Sequence, residues 1–290
     1  MAIVIYLVDE ATELRGNAYS RALTALPPER RARAERCVHE EDRQRIVVAW
    51  LLLRHALHEE CGLTDVPHLV YGERGKPSFT GAYATDGQQA ARPLPHFNLS
   101  HSGRYVACVL APVEVGIDVQ ATADAVRHLS PALLARTCSP AEIEALETAG
   151  PAGSPACARA FCALWTRKES VIKLTGRGLA EPLPNLLERH SHDVVTVTTA
   201  LAAPGGFREK PSQLDGAFLS LSHWREGPPL AGETDQGHPK TTQAPIAPEA
   251  APKCPEATPP LAARSEEQAA PAPAWSRPVH VPLDTLLAEQ

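Results

Sequence analysis

Apolar and polar positions divide the chain into short apolar runs, typical of strands, and longer stretches with helical periodicity. Residues 2–8 form an apolar run that predicts a buried first strand. The stretch 40–60 is apolar on most sides of a helix, which predicts a buried helix that ends at Gly62. Further strands are predicted at 68–71, 104–110, 115–119, 194–199 and 217–222, further helices from Pro27 onward, at 140–148 and at 159–174, and loops at 81–95 and 149–156. Strands that alternate with long helices in two comparable halves favour a two-lobed α+β protein.

The region after the last predicted strand has a different composition. Residues 227–274 are rich in Pro, Ala, Gly, Glu and Gln and show no periodicity, so they cannot bury enough apolar surface to offset the entropy of ordering. We expect this insertion to be disordered, either as a solvated loop, which we favour, or as a tether for another protein. Residues 275–290 regain apolar character and are a candidate for docking back onto the fold.

Composition narrows the function classes. The 290 residues are 43% apolar and 21% charged, which is typical of a globular protein with a substantial core. The net charge of −6 argues against a nucleic-acid partner, although Arg30, Arg31, Arg33 and Arg36 form a local basic cluster that suits a small phosphorylated ligand. No apolar run is long enough to span a membrane. The seven cysteines include no C-x-x-C pair and predict reduced core thiols, so we expect a cytoplasmic protein.

Two segments contain candidate metal and phosphate ligands. In a strand, Asp118 and Gln120 point to the same face and can reach one hard cation such as Mg²⁺, although a single solvated acid at a strand end is a common alternative. In the helix at 159–174, the residues Trp165, Glu169 and Lys173 are four positions apart and share one stripe. The alternative for that stripe is a surface Glu–Lys pair beside a core tryptophan.

Two further segments are candidate phosphate cradles. Phe97-Asn98-Leu99-Ser100-His101-Ser102-Gly103 is a polar stretch that we interpret as a turn, with hydroxyl, imidazole and backbone N–H groups. Adjacent Ser100 and His101 would point apart in an extended segment, and no G-x-S-x-G motif occurs, which argues against a Ser–His hydrolase. Tyr71-Gly72-Glu73-Arg74-Gly75-Lys76-Pro77 lets backbone approach a ligand but is not a P-loop.

The order of these segments is more specific than any one of them. Along the chain run Gly75-Lys76-Pro77, Phe97-Asn98-Leu99-Ser100-His101-Ser102, Gly116-Ile117-Asp118, Trp165-Thr166-x-Lys168-Glu169-Ser170-x-x-Lys173 and Gly176-x-Gly178-Leu179. This five-part pattern, spread over about residues 1–226, closely resembles that of the Sfp-type 4′-phosphopantetheinyl transferases.

The resemblance implies two similar α+β lobes related by a pseudo-twofold axis, here 1–117 and 118–226, with the active site in the cleft between them. It implies an enzyme, a holo-[acyl-carrier-protein] synthase, that transfers the 4′-phosphopantetheine arm of coenzyme A to a serine of an apo carrier protein and releases adenosine 3′,5′-bisphosphate. Mg²⁺ is the implied cofactor and coenzyme A the substrate. The implied partners of this expected monomer are carrier proteins of fatty-acid, polyketide or non-ribosomal peptide biosynthesis.

The resemblance also assigns roles to individual residues. Asp118 and Glu169 are the implied metal ligands, and Glu169, or a water that it orients, is the best candidate base for the serine hydroxyl. His101 and Lys173 are implied to contact the pyrophosphate, which completes the set of candidate catalytic residues. The implied coenzyme-binding residues are Arg30, Arg33, Lys76, Pro77, Ser100, His101 and Lys173, and Arg45, His39 and Glu142 lie in stretches that match the family approximately.

One position departs from the family pattern. Many relatives have Gly-Ile-Asp-x-Glu, whereas this chain has Gln120 in place of that glutamate. A carboxamide offers an oxygen without a charge, so Gln120 or a water would complete the shell of a metal held by Asp118 and Glu169. The alternative is a non-catalytic relative that binds coenzyme A or a carrier protein, and a further role as an adaptor through the Pro/Ala-rich insertion is also open.

Overall fold

The computed structural model describes residues 1–83, 91–201, 216–225 and 278–289. Its strands are β1 Val4–Val8, β2 Leu69–Tyr71, β3 Pro77–Phe79, β4 Ala82–Tyr83, β5 Arg92–Pro93, β6 His96–Ser102, β7 Tyr105–Ala111, β8 Val115–Ala121, β9 Val194–Leu201, β10 Ala217–Trp224 and β11 Val279–His280. Its α-helices are α1 Gly16–Thr24, α2 Pro28–Glu35, α3 Glu40–Cys61, α4 Thr122–His128, α5 Pro131–Thr137, α6 Pro140–Ala149, α7 Pro155–Thr175, α8 Leu186–Arg189 and α9 Leu283–Ala288. This mixture of helices and sheets confirms the prediction of an α+β protein.

Two larger sheets organise the described region. The first has the strand order β11-β1-β7-β6 and the second has the order β8-β10-β9. Alternate residues of β1 serve different cores: Tyr6 and Val8 pack towards α3, whereas Ile5 and Leu7 pack towards β8 and β10. Because both of its faces are covered, β7 is buried at every position.

The helix α7 is tied closely to the second sheet. Ser154 caps its N-terminus by accepting from the N–H of Cys157, and Gly176 ends it in the left-handed conformation. The helix therefore begins at Pro155, earlier than the predicted 159, because Ser154-Pro155 is a strong start signal. Gly116 on β8 allows the close approach, since a Cβ there would overlap the backbone at Ser170 and Leu174.

Buried hydroxyls join α7 to β10 and β9 in two parallel relays. In the first, Ser220 donates to Thr166 over 2.9 Å and lies 2.8 Å from the Thr198 hydroxyl. In the second, the Ser222 hydroxyl lies 2.7 Å from those of both Ser170 and Thr196. Each hydroxyl of these two relays thus has a hydrogen-bond partner, which fixes α7 in one register on the sheet.

The C-terminal segment adds to the first sheet. β11 pairs in parallel with β1, and the N–H of Val281 donates to the carbonyl of Leu7 over 2.9 Å. Leu283 and Leu286 are buried in the core beside α3, and Glu289 lies 2.8 Å from His55. The preceding Pro/Ala-rich insertion, predicted at 227–274, lies outside the described residues.

Two loop predictions need correction. The stretch 81–95 was predicted as a loop, but β4 and β5 pair antiparallel at its two ends. The polar stretch 97–103 is mostly strand β6 and not a turn, because residues 96–102 pair antiparallel with β7. In the described part of the chain, no helix combines the length and the apolarity that crossing a bilayer requires.

Candidate active site

The first feature of the site is an ion pair between β8 and α7. Lys173 Nζ lies 2.6 Å from Oδ1 of Asp118, whose side chain is only 8% exposed. Ser100 on β6 joins them, because its hydroxyl donates to Asp118 Oδ1 over 2.8 Å and accepts from Lys173 Nζ over 2.8 Å. A buried carboxylate needs such partners to remain charged. The structure thus brings together three of the predicted site residues.

Side chains of β6 hold β8 in place. The N–H groups of Ile117, Val119 and Ala121 donate to the side-chain oxygens of Asn98, Ser100 and Ser102, respectively, over 3.0 to 3.2 Å. These three β6 residues alternate with apolar Phe97 and Leu99, so every second residue reaches β8. Strand alternation in Asn-Leu-Ser-His-Ser was the signal that the turn prediction missed.

Glu169 is the second carboxylate of the site. It lies on α7 one helical turn before Lys173, is half-buried, and has no hydrogen-bond partner among the described residues. Burial and the negative charge of Asp118 raise its pKa to about 7, although the positive charge of Lys173 opposes the shift. Glu169 therefore changes its charge near neutral pH, as a general base should.

The donor set fits a hard cation. Asp118 and Glu169 supply carboxylate oxygens, and the Nε2 of Gln120 donates to the carbonyl of Ala121 over 3.3 Å, which leaves its Oε1 free of partners within the described region. Oxygen donors of this kind suit Mg²⁺. No group of three His, Cys, Asp or Glu residues that could hold a metal ion is assembled within the described ranges.

Basic residues surround His101 on the outer side of β6. Although His101 is exposed, partial desolvation by the surrounding protein lowers its pKa below the ordinary value. The positive charges of Arg45, Lys173 and Arg33 lower this pKa further. Arg45 is held by the carbonyl of Gly103 at 2.6 Å and by Asp42 at 2.6 Å. Ser100 is buried and His101 exposed, so the two side chains do not form a nucleophile–base pair.

Arg30 extends this basic surface along α2. Its guanidinium lies 5.4 Å from the centre of the Trp50 ring on α3 and interacts with the Tyr71 hydroxyl. Burial lowers the pKa of Arg30, and the neighbouring charge of exposed Arg33 lowers it further, while Tyr71 opposes the shift. The support of this arginine by Trp50 was not predicted, because the two residues lie on different helices.

Lys76 and Pro77 line a cavity of about 600 Å³. Its other walls are apolar at Phe79 and Phe97, whose rings stack 4.4 Å apart, and charged at the rim. Its walls do not include Asp118 or Glu169 but do include Thr175, two residues beyond Lys173. Lys76 Nζ donates to the carbonyl of Leu174 over 2.8 Å, and burial lowers its pKa against the opposing charge of Glu114.

Glu142 and His39 are not brought to the carboxylate pair. Glu142 caps α6 with Ser139 and accepts from Lys168 Nζ over 2.6 Å. Lys168, only 1% exposed, also donates to the carbonyls of Thr137 and Leu183. The structure thus gives Lys168 a structural role that the motif alone did not reveal. His39 is exposed at the residue preceding α3.

Two family models match consecutive parts of the chain. The 4′-phosphopantetheinyl transferase superfamily model matches residues 114–214, and the model of the N-terminal region of 4′-phosphopantetheinyl transferase matches residues 15–113. A 4′-phosphopantetheinyl transferase of Bacillus subtilis is 31% identical over 191 residues, which cover 65% of this chain and 77% of the relative. The chain belongs to the 4′-phosphopantetheinyl transferase family.

Other relatives support the same assignment. The transferase Sfp of Bacillus subtilis strain 168 is 30% identical over 60% of this chain and 70% of its own length. The transferase AcpT of Salmonella typhi is 32% identical over 59% of this chain and 83% of its own length. The chain is thus an enzyme of the 4′-phosphopantetheinyl transferase type, as the motif order predicted, and the Ser–His hydrolase alternative is excluded by the arrangement of Ser100 and His101.

Proposed function

We propose that this transferase moves the 4′-phosphopantetheine arm of coenzyme A to a serine of an apo carrier protein, depends on Mg²⁺ and releases adenosine 3′,5′-bisphosphate. The observation that supports this proposal is a group of basic residues beside a pair of carboxylates. The positive charges of Arg33, Arg45 and Lys173 act on His101, Arg33 also acts on Arg30, and Lys173 contacts Asp118. A ligand with several phosphates and a metal ion matches this distribution of charge.

Asp118 and Glu169 are the proposed ligands of Mg²⁺, with Gln120 Oε1 or water beside them. When bound, the ion would neutralise phosphate oxygens and stabilise the negative charge that develops on the leaving group. Two carboxylates match its two positive charges. The uncharged Gln120 is therefore compatible with the site, although it lowers the attraction for the ion relative to a third carboxylate.

Glu169 is the proposed base for the acceptor serine. The serine oxygen forms a bond to the phosphorus that bears the pantetheine arm, and the bond from that phosphorus to the bisphosphoadenosine oxygen breaks. The serine proton passes to Glu169, and the electron pair of the broken bond leaves with the bisphosphate. In the metal-free protein, burial raises the pKa of Glu169 to about 7. With Mg²⁺ bound beside it, Glu169, or a water that it orients, is the proposed acceptor of this proton.

Lys173 and His101 are the proposed contacts to the pyrophosphate. Lys173 already lies between Ser100 and Asp118, so its ammonium is held in one place before any ligand arrives. Such preorganisation stabilises charge in the transition state without a further cost of reorientation. The lowered pKa of His101 keeps its ring neutral at pH 7, where one ring nitrogen can donate a hydrogen bond.

The coenzyme also needs a site for its nucleotide. We propose that Lys76 and Pro77 line that site at the cavity beside α7, and that Arg30 and Arg33 bind the 3′-phosphate. In this proposal, the sheet with α3 and the sheet with α7 are the two similar lobes of the family, and the site lies in the cleft between them. A monomer would then contain the complete site.

Intact-mass measurement of carrier proteins tests the proposal. The transferase is incubated with Mg²⁺, coenzyme A and a panel of apo acyl, peptidyl and aryl carriers. We expect a gain of one phosphopantetheine group on at least one carrier, and no gain on the same carrier with its acceptor serine changed to alanine. Coenzyme A binding without any gain across the panel would instead indicate a non-catalytic relative.

A further inference from the structure

The segment that follows α7 forms one wall of the cavity. Residues 175–181, which we call the post-α7 wall, begin at the last residue of α7. Three of them, Thr175, Gly176 and Arg177, line the cavity. Gly176 and Gly178 both adopt positive φ angles, a backbone conformation that residues with a Cβ rarely adopt. A segment this rich in glycine needs tertiary contacts to hold one conformation.

Glu181 supplies such contacts from the far end of the wall. Its side chain is 5% exposed, and its Oε1 lies 2.7 Å from Nε2 of His190, just beyond α8. Its other oxygen, Oε2, accepts from the hydroxyl of Thr175 over 3.1 Å. The carboxylate therefore connects the last residue of α7 to the region of α8, across the glycines.

The local charges keep Glu181 ionised. Burial alone would raise the pKa of Glu181, but the hydrogen bond and charge of His190, the Thr175 hydroxyl and the charge of Arg177 lower it below its ordinary value. A buried carboxylate with partners at both oxygens is a strong positional restraint, because removing either partner leaves a desolvated group unpaired. The Thr175 hydroxyl also lies 3.4 Å from the N–H of Arg177 and 3.2 Å from the carbonyl of Ile172.

The opposite side of the wall is fixed by Lys76. Its Nζ donates to the carbonyl of Leu174, and its Cδ would lie 3.3 Å from a Cβ at Gly176. The cavity wall is thus held between the β2–β3 turn on one side and Glu181 on the other. Lys173 precedes Leu174 directly, but its ammonium is held separately by Ser100 and Asp118, so a shift of the segment that begins at Thr175 is expected to move the cavity wall and not the Lys173 ammonium.

We propose that Glu181, held by His190, is a positioning residue that sets the shape of the coenzyme-binding cavity through Thr175. This inference rests on the proposed function, because it assigns the cavity to coenzyme A. Neither Glu181 nor His190 belongs to the five-part motif that relates the chain to its family. The pair is expected to determine the affinity for the coenzyme, while the chemistry at Asp118 and Glu169 proceeds without it.

Steady-state kinetics of Glu181→Ala and Thr175→Val test the proposal on the full chain. We expect the KM for coenzyme A to rise by at least about tenfold in both variants, with kcat within about twofold of the wild type, because each variant loses the hydrogen bond between Thr175 and the charged Glu181. Thr175→Ser retains the hydroxyl and should restore the wild-type KM. Hydrogen exchange should show faster exchange of amides 175–181 in Glu181→Ala and Thr175→Val.

His55→Gln is the matched control. His55 forms a similar part-buried pair with Glu289, 2.8 Å away, but this pair joins α3 to the C-terminal segment. We expect His55→Gln to lower the melting temperature without changing the KM for coenzyme A. An unchanged KM in Thr175→Val, or an equal rise in KM in His55→Gln, would overturn the inference.

The two proposals fail in different ways. If the wild type neither binds coenzyme A nor transfers the arm, the proposed function is wrong, and the assignment of the cavity falls with it. If the wild type is active but neither variant changes the KM for coenzyme A, only the role of Glu181 is wrong. If Glu181→Ala does not fold, Thr175→Val and Thr175→Ser still decide between these results.

Discussion

Lys173 Nζ lies 2.6 Å from Oδ1 of Asp118, and both groups share the Ser100 hydroxyl. The Lys173 ammonium compensates the negative charge of the Asp118 carboxylate, which is buried. In the proposed mechanism, the same two residues bind opposite charges, the metal ion and the pyrophosphate. The same two side chains therefore stabilise each other in the free protein and bind the ligands in the proposed complex.

Asp118→Asn tests this relationship. The variant retains the shape of the side chain but removes its charge, so we expect Mg²⁺-dependent transfer to fall by at least about a hundredfold, similar to the loss of one preorganised electrostatic group. Circular dichroism should show that the fold is retained. Full transfer activity in Asp118→Asn would refute the assignment of Asp118 as a metal ligand.

Glu169→Gln tests the raised pKa by its effect on stability. In the metal-free folded protein the pKa of Glu169 is raised from 4.5 to about 7, so the stabilisation from its protonated form is present below pH 4.5 and is lost as the pH rises through 7. A neutral glutamine avoids this loss. We expect Glu169→Gln to melt about 2–4 °C above the wild type at pH 8, with a smaller difference at pH 5. Equal melting temperatures at both pH values would show that Glu169 has an ordinary pKa.

Gln120→Glu restores the third acidic group of the family pattern. The added carboxylate should strengthen Mg²⁺ binding, because affinity for a hard cation increases with the charge of its ligands. Transfer should persist, and the Mg²⁺ concentration for half-maximal activity should fall by about tenfold or less. Gln120→Ala is the paired variant, since it removes the oxygen altogether. A Mg²⁺ requirement unaffected by either change would place residue 120 outside the metal site.

Gly116→Ala tests the close approach of α7 to β8. A methyl group at this position would overlap the backbone at Ser170 and Leu174, so α7 must shift. We expect the free energy of unfolding to fall by about 3 kcal/mol, the upper part of the range for overpacked cores. Gly72→Ala is the matched control, because a Cβ there would lie an ordinary 3.7 Å from the Lys76 carbonyl. Chemical denaturation of both variants measures the difference.

Local sequence patterns were sufficient for the main elements of the fold. The helix α3 and the strand β10 lie close to their predicted bounds, because apolar periodicity and the glycine at position 62 are encoded within each segment. The shorter helices α1, α4, α5 and α8 were not predicted, since brief segments contain little periodicity. The prediction of a polar turn at β6 was wrong because the polar residues of this strand face another strand instead of solvent.

The site was predictable in its residue types but not in its contacts. Ser100, Asp118 and Lys173 were all identified from the motif order, yet the hydrogen bonds between them join positions up to 73 residues apart. The buried pair of Lys168 and Glu142, 26 positions apart, was missed for the same reason. The pair of Glu181 and His190, 9 positions apart, was missed because the two residues belong to no common element. A single sequence contains no direct signal for such pairs, so only the folded arrangement reveals them.

Phosphopantetheine transfer at the pair of Asp118 and Glu169 is the central proposal. Its most direct test is the intact mass of an accepting apo carrier protein after incubation with coenzyme A and either the wild type or Glu169→Gln, each with Mg²⁺ or with a chelator. We expect a carrier heavier by one phosphopantetheine group only with the wild type and Mg²⁺. Equal modification by Glu169→Gln, or by the wild type in the presence of the chelator, would contradict the proposal.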